Sequence, residues 1–503
     1  MPKTFYITTA IDYVNAKPHM GHAMEKLEAD CLARYHRLAG WEVYYLTGTD
    51  EHGSKIYKVS QEQGLSPQEL CDQNTEKFKE LARMLNLSIN DFIRTTDRER
   101  HYPAVQKLWK KLVEAGDIYK DRYEGLYCSG CEAFLNEKDL LEGKCPNHNI
   151  EPEKLAEENY FFKLSKYQDK ILELLESDTY QIIPAFRKNE ILNVVKSGLK
   201  DVSFSRPKDV LPWGVPVPGD ESQVMYVWCD ALTNYISALG YKEEGELYEK
   251  FWKGDEVVHV IGKDILRFHV VIWPAMLLAA GVPLPKKALV HGFITSQGKK
   301  MSKSLGNVVD PLEIVRKYGL DPFRYYLLNE IPMGKDGDFS YARFEELYNA
   351  NLANNLGNLV NRVLSMIKRY EVDLSLQDDE LRAEINKSWQ AYHQHFEKFD
   401  LHLVCQEITK ILMRGNQYIE QKKPWELAKQ DQEALGKVLF NLYELLRATS
   451  SMLAPIMPET SEKLRQKLGL RELLIFSEEE TWGSQKNPKL EVGEPLFPKL
   501  ELG

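Results

Sequence analysis

Between residues 17 and 40 the chain reads "KPHMGHAMEKLEADCLARYHRLAG", with apolar residues at Met24, Leu27, Cys31, Tyr35 and Leu38. That spacing follows the helical repeat of about 3.6 residues and predicts a helix with one buried face, stopped at Gly40. Upstream, "TFYITTA" is β-branched and aromatic and predicts a strand; downstream, "EVYYLTGTDEHG" predicts a second strand closing in a Gly/Asp turn. Strand, loop, helix and strand make a βαβ unit with parallel pairing, and ligands of such units sit at the carboxyl ends of the strands. From about residue 340 strand-like runs vanish. In "EALGKVLFNLYELLRATSSML" a single stripe carries Leu435, Val438, Leu439, Leu442, Leu445, Leu446 and Thr449, before Pro455 and Pro458 interrupt. The pattern predicts an α/β region followed by an α-helical bundle.

Bulk properties narrow the class. A chain of 503 residues exceeds one hydrophobic core and predicts two to four domains. No run of 18 apolar residues occurs, so no membrane span is expected. The N-terminus enters a strand without a basic and apolar leader, which predicts a cytoplasmic protein. A net charge of −10 argues against wholesale wrapping by nucleic acid but leaves room for local basic surfaces. The last thirty residues, ending "GEPLFPKLELG", read as a tail packing back on the surface.

Seven scattered cysteines are not a disulfide framework. Three of them cluster with a histidine as Cys128, Cys131, Cys145 and His148, spaced C-x2-C, thirteen residues, C-x2-H. Three thiolates and one imidazole suit tetrahedral Zn²⁺, and four protein ligands leave no open position, so a single structural zinc is expected. Cys31 and Cys229 have apolar neighbours and are expected in the core.

Two further stretches carry chemistry. In "HMGH", His19 and His22 lie one turn apart at the start of the helix, where free N–H groups and the helix dipole favour phosphate, and Gly21 lets a flat ring approach the backbone. In "GKKMSKSLGN", residues 298–307, small and basic residues predict a surface loop in which Lys300 and Lys303 can clamp a polyanion. Either alone is weak. Together, in this order, they resemble the paired signatures of class I aminoacyl-tRNA synthetases. The short span between the two halves of the nucleotide fold, with its zinc knuckle, looks like the methionyl-tRNA synthetase family. "AIDYVN" at 10–15, "GTDEHG" at 48–53, "YVWCDALTNY" at 226–235 and "GKDILRFHVVIWPAM" at 262–276 match segments of that family, with Asp12 in place of its proline. The resemblance runs over essentially residues 4–460.

The resemblance implies a Rossmann-like parallel-sheet domain, with its first half at 1–117 and second at 223–290. A connective insertion with the zinc knuckle would fill 118–222, and the KMSKS loop and stem-contact region 291–345. An anticodon-binding helical domain would follow at 346–470 and the tail at 471–503. It implies a methionine–tRNA ligase that makes methionyl-adenylate from ATP and L-methionine and passes methionine to tRNA(Met), initiator tRNA included. Catalysis would rest on His19, His22, Lys300 and Lys303; ATP would also meet Gly21, Lys263 and Asp264, with Mg²⁺ held mainly by the phosphates. Ile11, Tyr13, Asp50, Trp228, Ala231, Tyr235 and His269 would hold methionine, with Asp50 on the ammonium group; aromatic rings suit its polarisable thioether. Asn15 and Arg206 match other active-site positions. Asn351 and Trp425 match anticodon contacts, and Asn355 stands where the family often shows arginine. These residues have ordinary structural readings as well: Trp228 and Tyr235 as core aromatics, Asp50 as a turn-former, His269 as a core histidine, Trp425 as a packing residue after Pro424. A smaller adenylyltransferase would explain the histidines but not the lysine loop, and an RNA-binding paralogue would not need them all. Many relatives carry an extra tRNA-binding domain, so this chain is expected to be a short form or to work with a separate tRNA-binding chain.

Overall fold

The computed structural model describes residues 2–501 except 129–132, 136–139, 147–148, 302–306, 376, 474 and 486–487. Cys131, His148 and Lys303 therefore lie outside the described residues, as does the side chain of Lys300. The chain divides into two compact units, one of residues 3–29 and 43–292, the other of residues 30–42 and 293–503.

The first unit is built on a parallel sheet. Its N-terminal part contains β1 (Thr4–Thr9), β2 (Asp12–Tyr13), β3 (Glu42–Asp50) and β4 (Asp91–Arg94). Helix α1 (Met20–Leu38) crosses from β1 to β3, which lie side by side as the pattern predicts. Next come α2 (Ser54–Glu62), α3 (Pro67–Met84) and α4 (His101–Glu114). Ser66 and Glu69 cap α3 reciprocally, satisfying two of its orphan donors. Gly48 sits where β3 meets β4 so closely that any Cβ would collide with the Ile93 carbonyl.

Strands β5 (Ile118–Cys128), β6 (Ala133–Leu135), β7 (Glu153–Phe162), β8 (Gln181–Ile183) and β9 (Val202–Ser203) follow. β5 and β7 form a long antiparallel pair flanked by β6 and β9. The stretch 118–222 is not wholly separate from the main sheet, however. Its β8 pairs in parallel with the later strand Lys287–His291, with Ile182 buried there. The same stretch carries α5 (Gln168–Glu176) and α6 (Ala185–Lys196), and the residues after it α7 (Val227–Leu232), α8 (Asn234–Ser237) and α9 (Trp273–Ala280). Three short strands, β10 (Ser205–Pro207), β11 (Pro216–Val217) and β12 (Asp220–Met225), make a small antiparallel sheet. β13 (Glu256–Gly262) and β14 (Lys287–His291) complete the parallel sheet, in the order β2-β3-β1-β13-β14-β8 with β4 on β3.

The second unit opens with β15 (Ile294–Ser296), β16 (Lys299–Lys300) and β17 (Gly337–Phe339) and is otherwise helical. Its central helix, Gln432–Leu453, is buried almost all round, not on one stripe. The polar positions the stripe leaves out are paired: Arg447 bonds Glu444 on the same helix and the carbonyls of Glu479 and Thr481. Asn349 exchanges two hydrogen bonds with the backbone of Leu500, and Phe497 meets Tyr348 edge-on. Among the described residues no helix is long and apolar enough to cross a membrane.

Helix α1 departs in the same way from a one-faced helix. Besides its apolar positions it buries Glu25, Lys26, Glu28 and Asp30. Lys26 pairs with Asp12 at 2.7 Å, and Glu25 with the imidazole of His291 at 3.0 Å. Asp30 meets Arg34 at 2.7 Å and the fully buried Arg324 at 2.8 Å. Asp12 thus has a partner that a proline could not have met. Burial raises the carboxyls of Asp12 and Glu28 to about 7, against the pull of Lys26 and His291 respectively. Burial alone would lower the His291 imidazole, but its bond to Glu25 and the charges of Glu25 and Glu28 raise it to about 9.

These pairs set two expectations. Arg324 also donates to the carbonyls of Ile456 and Pro455, so Arg324→Ala leaves a buried carboxylate and two carbonyls poorly served. It should cost about 3–5 kcal/mol in urea denaturation. His291 holds its proton in the native state up to about pH 9 but releases it near 6.5 when unfolded, so the stability it adds is full below 6.5 and is lost as pH rises towards 9. The loss between pH 7 and 9 should be on the order of 2 kcal/mol. His291→Gln, which keeps a donor for Glu25 without a titrating proton, should flatten that slope.

Candidate active site

Parallel strands deliver their carboxyl ends to one edge, and several of the residues singled out from the sequence follow β1, β3 and β13. β1 leads into residues 10–19, β3 ends at Asp50, and β13 runs into the short turn of Lys263–Ile265. β2 pairs with β3 so that Tyr13 stands opposite Asp50, and Val14 N donates to the Asp50 carbonyl at 3.2 Å. Asn15 bridges the Tyr13 carbonyl and the Lys55 ammonium, each at 3.1 Å. Ile11 packs on the main core cluster, half-buried.

At the start of α1 the rings of His19 and His22 stack with centroids 3.7 Å apart. The backbone fixes their tautomers. His19 N donates to His22 Nδ1 and Gly21 N to His19 Nδ1, each at 3.1 Å. With both Nδ1 atoms accepting, each neutral ring carries its proton on Nε2. A Cβ on Gly21 would press on the His19 ring at 3.0 Å, so glycine lets this bond form. Although His19 keeps an open edge, desolvation, aided by the charge of Lys26, lowers its imidazole to about 4; desolvation and the His19 ring push His22 well down too. The pair therefore presents neutral N–H donors at neutral pH. Asp12 Oδ1 lies 3.8 Å from His22 Nε2. Asp264 reaches back to within 2.7 Å of where a Cβ on Gly262 would sit, and its charge is felt by His19.

A second group of rings comes from α7, α8 and the π-helical turn Phe268–Ile272. Trp228 stacks on Phe268 at 3.8 Å and meets His269 edge-on at 6.2 Å. His269 Nδ1 donates to the Ile265 carbonyl at 3.0 Å, so its Nε2 accepts from the Tyr235 hydroxyl at 2.7 Å. Burial lowers His269 to about 4, which keeps this wall uncharged. Ala231 is buried on the same helix as Trp228. Single-turn π segments recur at functional sites, and this one carries a residue singled out in advance.

Arg206 has a different neighbourhood. It makes a buried two-pronged pair with Glu157, at 2.7 and 2.8 Å, and lies over the Tyr127 ring at 4.4 Å, one residue from Cys128. The thiols of Cys128 and Cys145 are buried, and Cys145 sits in a tight turn, accepting from Asn149 N at 2.7 Å and donating to the Ile150 carbonyl at 2.9 Å. Among the described residues no three potential ligands gather into a metal site. Lys300 lies on β16, paired with Thr295.

In the second unit a cleft of about 820 Å³ is lined by Asn351, Arg343, Lys387, Lys410, Met413 and Arg414, among others. Asn351 belongs to a ten-residue π-helical stretch, Tyr348–Gly357, and its amide donates to the Tyr325 hydroxyl at 3.0 Å. Asn355 is engaged inside the bundle, accepting from Asn416 at 2.9 Å. Trp425 is 38% exposed at the start of the helix Pro424–Gln430.

Sequence reasoning passed over the residues that hold this edge together. Glu51 and His52 follow Asp50 and are buried, as is Asp230 between Trp228 and Ala231. Each is polar inside an otherwise apolar or turn-like run; that is the signal that was there to read, though nothing in it names the partners.

Residues 5–364 match the family model described as tRNA synthetases class I (M), and residues 371–501 match that of the anticodon binding domain of methionyl tRNA ligase. A methionine–tRNA ligase of Caldanaerobacter subterraneus subsp. tengcongensis is 45% identical over the whole of this chain and 80% of its own length. The structure of Mycobacterium tuberculosis methionyl-tRNA synthetase in complex with methionyl-adenylate superposes with a TM-score of 0.92 at 37% identity, covering 99% of this chain and 100% of that one. The apo form of the same enzyme gives 0.86 at 34% identity, covering 100% and 99%. With two family models spanning nearly all of it and relatives of this similarity, the chain belongs to the methionine–tRNA ligases of the class I tRNA synthetases.

Proposed function

We propose that this chain activates L-methionine with ATP, releasing pyrophosphate, and then esterifies the terminal ribose of tRNA(Met), initiator tRNA included. The observation that carries the reading is the pair of neutral, backbone-locked imidazoles at the helix start on the carboxyl edge of the sheet, in a chain of this family. Activation needs no protein nucleophile: the methionine carboxylate attacks the α-phosphorus, the bond to pyrophosphate breaks, and the enzyme supplies alignment and charge compensation. The Nε2–H groups of His19 and His22 donate to phosphate oxygens. Lys300 and Lys303 bring positive charge to the leaving pyrophosphate. Lys263 and Asp264 address the ribose and adenine side. Mg²⁺ bound with ATP would neutralise charge on the phosphates. Asp50 takes the ammonium group of methionine. Ile11, Tyr13, Trp228, Ala231, Tyr235 and His269 surround the thioether, whose polarisable sulfur favours ring contacts.

Cys128, Cys131, Cys145 and His148 would hold a zinc ion that closes the knuckle; the two buried thiols and the tight turn at Cys145 support this. Freshly purified protein should carry stoichiometric zinc, and Cys145→Ser should lose it and melt earlier. A metal-free, fully stable wild type would remove the site. Asn351 and Trp425 read the anticodon. The cleft beside Asn351 and the exposure of Trp425 support this, since unstacked loop bases are held by ring stacking and amide hydrogen bonds.

Methionine-dependent ATP–pyrophosphate exchange tests the activity; no exchange with methionine, or equal exchange with leucine, overturns it. Trp425→Ala should leave exchange and melting unchanged while lowering kcat/KM for tRNA(Met) by about ten- to a hundredfold, the cost of roughly 1–3 kcal/mol per stacked base. An early-melting variant with equal losses on every tRNA would return Trp425 to a packing role.

A further inference from the structure

At the end of β3 three consecutive side chains, Asp50, Glu51 and His52, are all buried, and only the first has a role so far. Glu51 is clamped. Its carboxylate accepts from Arg94 at 2.7 and 2.9 Å and from the hydroxyls of Thr49, Thr75 and Thr96 at 2.6, 2.7 and 2.5 Å. Its backbone N donates to Thr95 Oγ1 at 2.9 Å, and its carbonyl accepts from Trp213 Nε1 at 2.5 Å. His52 reaches the other way. Its Nδ1–H donates to Asp230 Oδ2 at 2.6 Å, and its Nε2 faces the Tyr102 hydroxyl at 3.1 Å. The second oxygen of Asp230 accepts from His101 Nε2 at 2.7 Å, and His101 Nδ1 meets Ser237 Oγ at 2.8 Å. Burial would raise the Asp230 carboxyl, but the two imidazoles hold it at about 2, so it is ionised throughout the working range.

The consequence is mechanical. Asp230 lies two residues after Trp228 on α7, and His52 two residues after Asp50. A short charge-assisted bond between buried partners therefore joins the turn that carries the acid to the helix that carries the ring wall. Such bonds are stronger than neutral ones and fix geometry as well as distance.

We propose that His52 and Asp230 are positioning residues for amino-acid selection, setting the separation between the carboxylate that takes the ammonium group and the rings that take the thioether. The proposal rests on the methionine-pocket reading given above. An amino acid gains from both ends only if the two sites stand at its own length, so the bond acts as the gauge of the pocket. Removing it should hurt a ligand that uses both ends and spare one that uses a single end.

Two isosteres of histidine separate this role from a general structural one. Glutamine places its amide near the Nε2 position, keeping Tyr102 in reach but withdrawing the donor from Asp230. Asparagine places its amide near Nδ1 and keeps that donor. Calorimetric titration of the full chain would use methionine and 4-(methylsulfanyl)butanoate, which has the same thioether and carboxylate but lacks the ammonium group. His52→Gln should weaken methionine about tenfold or more and the analogue less than about threefold, while His52→Asn stays within about threefold of wild type for both, a coupling typical of groups in one network. Asp230→Asn, which offers one acceptor to two imidazole donors, should follow His52→Gln. Equal loss of both ligands, or equal behaviour of the two His52 variants, overturns the proposal, as does unchanged methionine binding in His52→Gln. Asp50→Asn tests the underlying reading separately. If it does not discriminate between methionine and the analogue, the pocket reading fails; if it does while His52→Gln does not, only the positioning role fails.

Discussion

In a parallel sheet every strand runs the same way, so every loop that follows a strand opens at the same edge. Here β1, β3 and β13 deliver the histidine signature, Asp50 and the Lys263–Asp264 turn to that edge. The remainder of the site depends on this alignment, because no candidate residue is near another in sequence beyond its own short stretch. Register sharpens it: β2 sits on β3 with Tyr13 opposite Asp50, and a slip of one residue would turn every side chain to the other face.

The second theme is how much charge lies beneath the edge. Asp12, Glu25, Lys26, Glu28 and His291 are all buried in a region where an apolar core would serve stability as well or better. Lys26 and His291 stand behind two uncharged imidazoles whose proton affinity they help to lower. In the function proposed above, a phosphate at those rings would meet fixed N–H donors in front and the paired cations Lys26 and His291 behind. Preorganised dipoles of this kind cost no reorganisation at the moment of reaction.

The amino-acid side works differently. The wall proposed for it contains His269, pinned by the Ile265 carbonyl and Tyr235, with its imidazole lowered to about 4 by burial. Near it in the chain or in space, Glu51 accepts from Arg94 and three threonine hydroxyls, and Asp230 from two imidazoles. Within the π-helical turn Phe268–Ile272, His269 meets Tyr235 while its neighbour Phe268 stacks on Trp228.

The βαβ unit, the helical C-terminal region and the paired signatures were legible in the sequence because each rests on local physics: apolar periodicity for α1, β-branched runs for β1 and β3, and residue types at a helix start that suit phosphate. The sequence alone also led to the family, through short motifs whose members are neighbours in the chain. It did not disclose why α1 and the helix Gln432–Leu453 are buried on their polar sides, since a charged residue reads as exposed until its partner is known. Lys26 needs Asp12, Asp30 needs Arg324, and Arg447 needs carbonyls more than thirty residues away. Nor could it show that residues 181–183 join the main sheet, that Arg206 pairs with Glu157, or that His52 and Asp230 meet across 178 residues. Burial of a charge is decided by pairing, pairing by proximity, and proximity between distant segments exists only once the chain has folded.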